Sequence, residues 1–429
     1  MRKENRIICK KTKQNNNRRK TKKHKKEEIK KMQNRNEGIT LIALIITIII
    51  LLILVGVSIN LAIKGDLFGS AEKAVSGTND KTAQEQTRVD ELMGELGRVE
   101  EQQRQDNLPG TRVTENTKYV SNGKTAWIPK GFTVSGIKSE QSIDNGLVIY
   151  DIPEGITPDW SNPDSVKTKY NQFVWIPVEV TASDTETSIE AFKRSAWTAN
   201  AETGGERTTG LNTSFTEPNA TNDTDDKTGI AKQIANLTKS IYKHGGFYIG
   251  RYEAGSKTPR TSSSGVTEIG IKQDMYPYIY VKWGDSMSSI GTTGAVYLSN
   301  SLYNTNEYGA TSMLCTGACW DSMLDFIKDS KHSVTDSTKW GNYKNSETFE
   351  ITRGAYAVYN NNTLGSFNNV GSKYSKMKNT SILLTTGATE RNCSKNIYDV
   401  AGNCFEWTTE SYSSSARVSR GRLLQRLWF

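Results

Sequence analysis

The chain has 429 residues, 55 of them Lys or Arg and 46 Asp or Glu, for a net charge of +9. That length is too great for one ordinary small domain and predicts two or three parts. Residues 1–38 hold 16 basic and 4 acidic residues, so the rest of the chain carries a net −3. The basic character belongs to one tail, which excludes a nucleic-acid-binding body.

After this leader, residues 39–63 (ITLIALIITIIILLILVGVSINLAI) run for 25 residues without a charge. As a helix the run would span about 37 Å, enough for a hydrocarbon core of about 30 Å with some tilt. The Lys/Arg excess on its N-terminal side predicts a cytoplasmic leader and an exported body. The expectation is a single-pass cell-membrane protein with its C-terminal domain outside the cell. A cleaved secretory signal fits poorly, because its apolar region is shorter and ends at a small-residue cleavage site; a simple anchor is the plain alternative. The stretch EGITLIALIITIIILLIL resembles the start of type IV pilins and pseudopilins, with a basic leader ending in Gly before a long apolar helix. That resemblance implies prepilin-peptidase processing between Gly38 and Ile39, and the membrane and pilus or secretion-system subunits as partners. Two positions depart from the family: Ile39 replaces the usual Phe, and Ala43 the Glu that pairs with a neighbour's N-terminus.

Residues 64–110 read as a stalk, with Val89, Met93, Leu96 and Val99 on one helical stripe that Asn107, Pro109 and Gly110 end. From 111 to 171 short apolar runs predict a small β-rich segment. Trp-Ile-Pro occurs at 127–129 and at 175–177 and reads as a strand entry. Residues 181–229, rich in Thr, Asn, Asp, Ser and Glu, predict a mobile surface insertion. GGFYIGRYEAG (245–255) reads as an aromatic strand bounded by glycines. A helix is predicted around 313–328, burying Met313, Leu314, Trp320, Met323, Leu324 and Ile327. Cys315 and Cys319 would lie one turn apart on it. No Cys-x-x-Cys spacing or neighbouring His supports zinc. Buried thiols or one or two disulfides are the plainer reading, with the pairing of Cys315, Cys319, Cys393 and Cys404 open.

In order along the chain, FVWIPV, GGFYIGRYEAG, the tryptophan-bearing helix, KWGNY (339–343), NIYDVAGNCFEWT (396–408) and RVSRG (417–421) resemble the formylglycine-generating enzyme (sulfatase-modifying factor) family. The resemblance covers roughly residues 172–421, and GNCFEWT is its most specific part. It implies a C-type-lectin-like fold of low regular secondary structure over 172–429. The whole chain is thus expected to be α+β: a long N-terminal transmembrane helix and stalk, then this domain, truncated at its C-terminus.

The family's enzyme uses a cysteine pair downstream of its RGG motif. Here the chain reads RVSRGRLLQRLWF, Arg422 replaces the second Gly, and no cysteine follows Cys404. Catalysis is therefore not expected. No nucleophile elbow or phosphate loop appears, and His24, His244 and His332 lie far apart. Non-enzymatic relatives, including variable proteins of diversity-generating retroelements, carry a changeable binding face on this scaffold. The expected function is surface-displayed, non-catalytic binding of an extracellular protein or glycan. The alternatives are a formylglycine-generating oxidase and a structural minor pilin. In the enzymes the loop matching NIYDVAGNCFEWT binds structural Ca2+. The resemblance implies the side chains of Asp399 and Glu406 and the carbonyls of Gly402 and Cys404 as ligands, the hard oxygens calcium prefers. Asn403 would shape the turn and Trp407 anchor it in the core. Read from the residues alone, the alternative is a bend whose acids only cap backbone N–H groups.

Overall fold

A computed structural model describes residues 71–208, 216–218, 229–286, 289–303, 307–360, 363–413 and 416–421, with backbone alone for 71–83. Contact clustering divides the chain into two units, residues 1–96 and 97–429. In the first, the described residues form one helix, α1 (Ala71–Asp106), which runs on into the second. Its predicted stripe is present but uncovered: Val89, Met93, Leu96 and Val99 are all exposed, as is Leu92. Near its end Gln105 is buried, donating to the Lys118 carbonyl at 3.0 Å and accepting from Val120 N at 2.9 Å.

The expected membrane-spanning architecture is corrected here. Among the described residues no helix is long and apolar enough to cross a membrane, and α1 is a polar helix. The apolar run 39–63, with the Gly38–Ile39 junction, lies outside the described residues. The transmembrane helix, the single-pass placement and the surface location that depended on it are therefore not carried forward. What is described is mostly short strands in small sheets with five α-helices.

The second unit opens with a hairpin, β1 (Thr117–Ser121) and β2 (Lys124–Ile128). Asn122 and Gly123 both take positive φ at its tip, as a two-residue turn matching strand twist requires. The central sheet has the antiparallel order β3 (Thr133–Val134), β4 (Val148–Tyr150), β5 (Gln172–Pro177), β8 (Gly246–Gly250). Both faces are buried, which is why FVWIP reads as a continuous apolar run. Val174 and Ile176 enter one core with Val148, Tyr150 and Phe247, while Trp175 enters the other with Ile149, Ile128 and Phe132. Both Trp-Ile-Pro runs end their strands instead of starting them, because Pro has no N–H to continue a ladder.

Between β5 and β8 lie the hairpin β6 (Ala196–Thr198) and β7 (Glu206–Thr208) and the helix α3 (Ile230–His244), after α2 (Pro163–Lys169) upstream. The polar stretch from 181 is tied down where it is described. Asp184 accepts from Thr181 N and Glu190 N, both at 2.7 Å, and Ile189 and Phe192 join the principal core. Two spaced apolar residues suffice once a buried acid orders the turn around them.

Beyond β8 come β9 (Gly255–Ser256), paired with β10 (Ile269–Gly270) and β11 (Tyr276–Pro277), then the helices α4 (Ala295–Ser301) and α5 (Gly317–Ile327). Helix α5 starts later than predicted because the Thr316 hydroxyl accepts from Cys319 N and caps it. Cys315 is therefore outside the helix, and all four described cysteines are free thiols. A further layer joins β12 (Phe349–Ile351) to β16 (Tyr374–Lys376). Beside it β13 (Ala355–Asn360) pairs with β14 (Thr363–Leu364), β15 (Asn368–Asn369) and β17 (Ile382–Leu384). The closing ladder is β18 (Glu406–Ser413) with β19 (Ala416–Arg420).

Buried charges join these small sheets. Arg251 and Glu140, each 1% exposed, pair at 2.8 Å in the core, where Glu140 also accepts from Ser135 and Tyr150. Burial alone would raise the Glu140 pKa, but the Arg251 and Lys167 charges and those hydrogen bonds outweigh it and hold it below the usual range. Glu410 on β18 accepts two hydrogen bonds from Arg420 and pairs with Arg194 at 2.9 Å. Fully buried Lys376 donates to the carbonyls of Tyr343, Lys344 and Ser346. Breaking such a pair strands its partner. Arg251→Met is expected to cost about 3–5 kcal/mol in urea unfolding, whereas Leu96→Ala on the exposed stripe should stay within about 0.5 kcal/mol. Equal effects would refute a stabilising role for the core ion pair.

Candidate functional site: a clasped bend beside an apolar cavity

The bend at 396–408 is built from residues that tolerate left-handed backbone. Asp399, Gly402 and Asn403 have φ of 63°, 84° and 60°. Only glycine serves at 402, since a Cβ there would sit 2.2 Å from the Asn342 carbonyl oxygen. That closeness reflects a backbone bridge to the KWGNY loop: Asn342 N donates to Ala401 O at 2.9 Å, and Asn403 N to Asn342 O at 3.1 Å.

The Asn403 carboxamide holds the bend. Its Nδ2 donates to Glu253 Oε2 at 2.8 Å and to Leu384 O at 3.2 Å. Its Oδ1 accepts from Leu384 N at 2.9 Å and from Asn342 Nδ2 at 3.1 Å. The group is fully buried, and both donors and both lone pairs are used. The other Glu253 oxygen accepts from Cys404 N at 3.2 Å. Three of the sequence motifs thus meet at one amide. Glu253 and Asn342 were not singled out in the sequence; the available signal was an acid inside an otherwise aromatic strand motif, and an Asn beside a Gly in each loop.

The residues expected to hold calcium all lie on the bend. Asp399 is fully buried; its Oδ2 accepts from Gly387 N at 2.7 Å, and its Oδ1 has no hydrogen-bond partner. Gly402 is held by Asn342, Cys404 gives its N–H to Glu253, and Glu406 begins β18. Among the described residues, no group of three or more His, Cys, Asp or Glu side chains is placed to hold a metal. The expected shell draws on two side chains and two backbone carbonyls, and the unpartnered Oδ1 of Asp399 is compatible with it; Oδ2 of the same group caps the Gly387 N–H, as the other reading has it.

The acids sense one another. Burial pushes Asp399 up to about 6, and burial followed by the Asp399 charge pushes Glu406 up to about 8. Burial, then the Asp399 and Glu406 charges, raise Glu253 well above the usual carboxylate range. Three carboxyls this close cannot all ionise cheaply.

Beside the bend lies a cavity of about 280 Å³. Its walls come from β8 and the following loop, residues 277–281, α4, α5, the bend and Ser419 of β19. Tyr252, Tyr278, Trp320, Tyr359 and Trp407 give it an aromatic lining, with Glu253 and Glu406 as its carboxyl groups. Trp407 is fixed by its Nε1 donating to Val281 O at 2.9 Å. Tyr280 on the wall has φ of 54°, an outlier for so bulky a residue. Cys315 and Cys404 also line the space. Burial first, then neighbouring acids and, at Cys315, the Cys319 thiol, push both thiols well above their ordinary pKa.

The chain matches no protein-family model, no curated protein and no solved structure. The resemblance to the formylglycine-generating family rests on the motifs and their order.

Asn403→Asp removes two donors and sets a carboxylate against Glu253, so a loss of about 3 kcal/mol is expected in thermal or urea unfolding. Melting curves with calcium and with chelator separate the two readings of the bend's acids: a calcium-dependent rise supports the metal, and coincident curves support the caps. The pH dependence has a definite sign. Asp399 and Glu406 bind protons more tightly folded than unfolded, so their contribution is full below the ordinary carboxylate range. It is lost as pH rises through about 6 and then about 8. The melting temperature should fall across that window, and Glu406→Gln should flatten its upper part. A slope unchanged by the substitution would contradict the assignment.

Proposed function

We propose that this chain is a non-catalytic ligand-binding protein whose binding site is the cavity beside the clasped bend. The observation carrying this reading is the cavity itself, an aromatic-lined space framed by elements that buried hydrogen bonds and ion pairs hold in place. Ligand sites are commonly such preformed concavities, mostly apolar with a few placed polar groups. A volume of about 280 Å³ suits a small ligand with apolar surface better than a glycan.

The oxidase alternative needs an accessible thiolate in an electropositive setting. Cys315 and Cys404 are the thiols that line the cavity, and both are held protonated among acids. Among the described residues no Lys, Arg or His lines the cavity to activate them. Binding is therefore the better-supported role.

A fragment screen by thermal unfolding of the full chain tests this. A small aromatic ligand at 100 times its Kd should add about 2.7 kcal/mol. For a chain of this size that raises the melting temperature by roughly 2–4 °C. Ser299→Trp, on the cavity wall, should abolish the rise. A screen without any stabilising fragment, or a rise that survives in Ser299→Trp, would reject the cavity as the site. Iodoacetamide should modify Cys315 and Cys404 far more slowly in the native chain than in urea; faster native modification would favour the oxidase.

A further inference from the structure

The cavity's ionisable lining is one-sided. Among the described residues two carboxyl groups, Glu253 and Glu406, face it, and no lysine, arginine or histidine does. Glu253 already serves the bend, accepting from Asn403 and Cys404. Glu406 differs: among the described residues its carboxyl group has no hydrogen-bond or ion-pair partner. The nearby arginines are engaged elsewhere, Arg420 with Glu410 on the same ladder and Arg251 with Glu140. Glu406 faces the cavity without a cation of its own, and a cation supplied from outside would favour its ionised form. The walls suit the same guest. Tyr252, Tyr278, Tyr359 and Trp407 line the space, and aromatic faces attract cations most strongly where water is excluded.

We infer that the cavity takes a small organic cation, an ammonium or guanidinium group on an apolar or aromatic body, with Glu406 as its counter-ion. This rests on reading the cavity as a ligand site and adds the class of ligand. The apolar body would lie against the α4 and α5 side, where Leu298, Leu314 and Met323 supply the wall. Anions have no matching group in the lining, and a neutral isostere would gain nothing from an ionised Glu406.

Calorimetry on the full chain with three probes of one shape tests the class: phenethylammonium, neutral 2-phenylethanol and anionic phenylacetate. The ammonium should bind about tenfold or more tightly than the alcohol, and phenylacetate least well. Glu406→Gln should bring the ammonium to within about threefold of the alcohol. If the alcohol matches the ammonium on the unsubstituted chain, or Glu406→Gln leaves the preference intact, the cation assignment is overturned while the cavity stands as a ligand site. If none of the three binds, both readings fall. The three-probe comparison on the unsubstituted chain decides the class even if Glu406→Gln does not fold.

Discussion

The side-chain amide of Asn403 is the point on which the second half of this fold depends. It sits in left-handed backbone, fully buried, with each of its hydrogen-bonding positions matched. Through it the strand motif carrying Glu253, the loop carrying Asn342 and strand β17 are fixed to one bend. A buried amide with a missing partner costs more than it returns, so the arrangement holds only while all three neighbours are in place. The cavity wall formed by residues 404–407 takes its position from this clasp.

The same logic recurs where regular structure is sparse. Short strands leave many backbone carbonyls without ladder partners, and each buried one needs a donor. Lys376 supplies three such carbonyls with one ammonium group. Arg194 and Arg420 converge on Glu410, and Arg251 on Glu140. Arg194 ties the segment before β6 to β18, while Arg420 braces the closing ladder and Arg251 the central sheet from within. The acids at the bend are the exception, since they meet one another more than they meet cations, and that imbalance gives the cavity its electrostatic sign.

Much of this was legible in the sequence, for identifiable reasons. β5 and β8 were visible because strands buried on both faces read as apolar runs bounded by Gly and Pro. The face of α5 was visible because Trp320, Met323 and Ile327 follow helical spacing. Its start was misplaced because Thr316 could be recognised as a cap only once Cys319 N pointed at it. The Asn-Gly turn of the first hairpin carried a signal that went unused. At the bend, the motif located the right residues but not their bonds. Which groups satisfy Asp399 and Asn403 depends on Gly387, Leu384 and Glu253, contacts made across 12, 19 and, for Asn403–Glu253, 150 positions, and no local pattern encodes them. The Ile189–Phe192 anchor escaped notice because composition averages over a stretch, whereas burial there needs only two residues. The membrane-spanning expectation rested on residues outside those described.

The distance along the chain between the partners of the clasp also bears on how the protein comes to fold. Glu253 leaves the ribosome 150 residues before Asn403, and the cavity lining runs from Ile249 to Ser419. Contacts of such long sequence separation form slowly, because loop closure comes before its reward. The central sheet can assemble from residues 133–250 while the aromatic wall around Tyr252 still faces solvent. Through that interval Glu253 can ionise freely in water, and it loses that freedom only when the bend arrives to cover it. A segment synthesised 150 residues later therefore sets the acidity of Glu253, and the pocket and its charge mature in one late event.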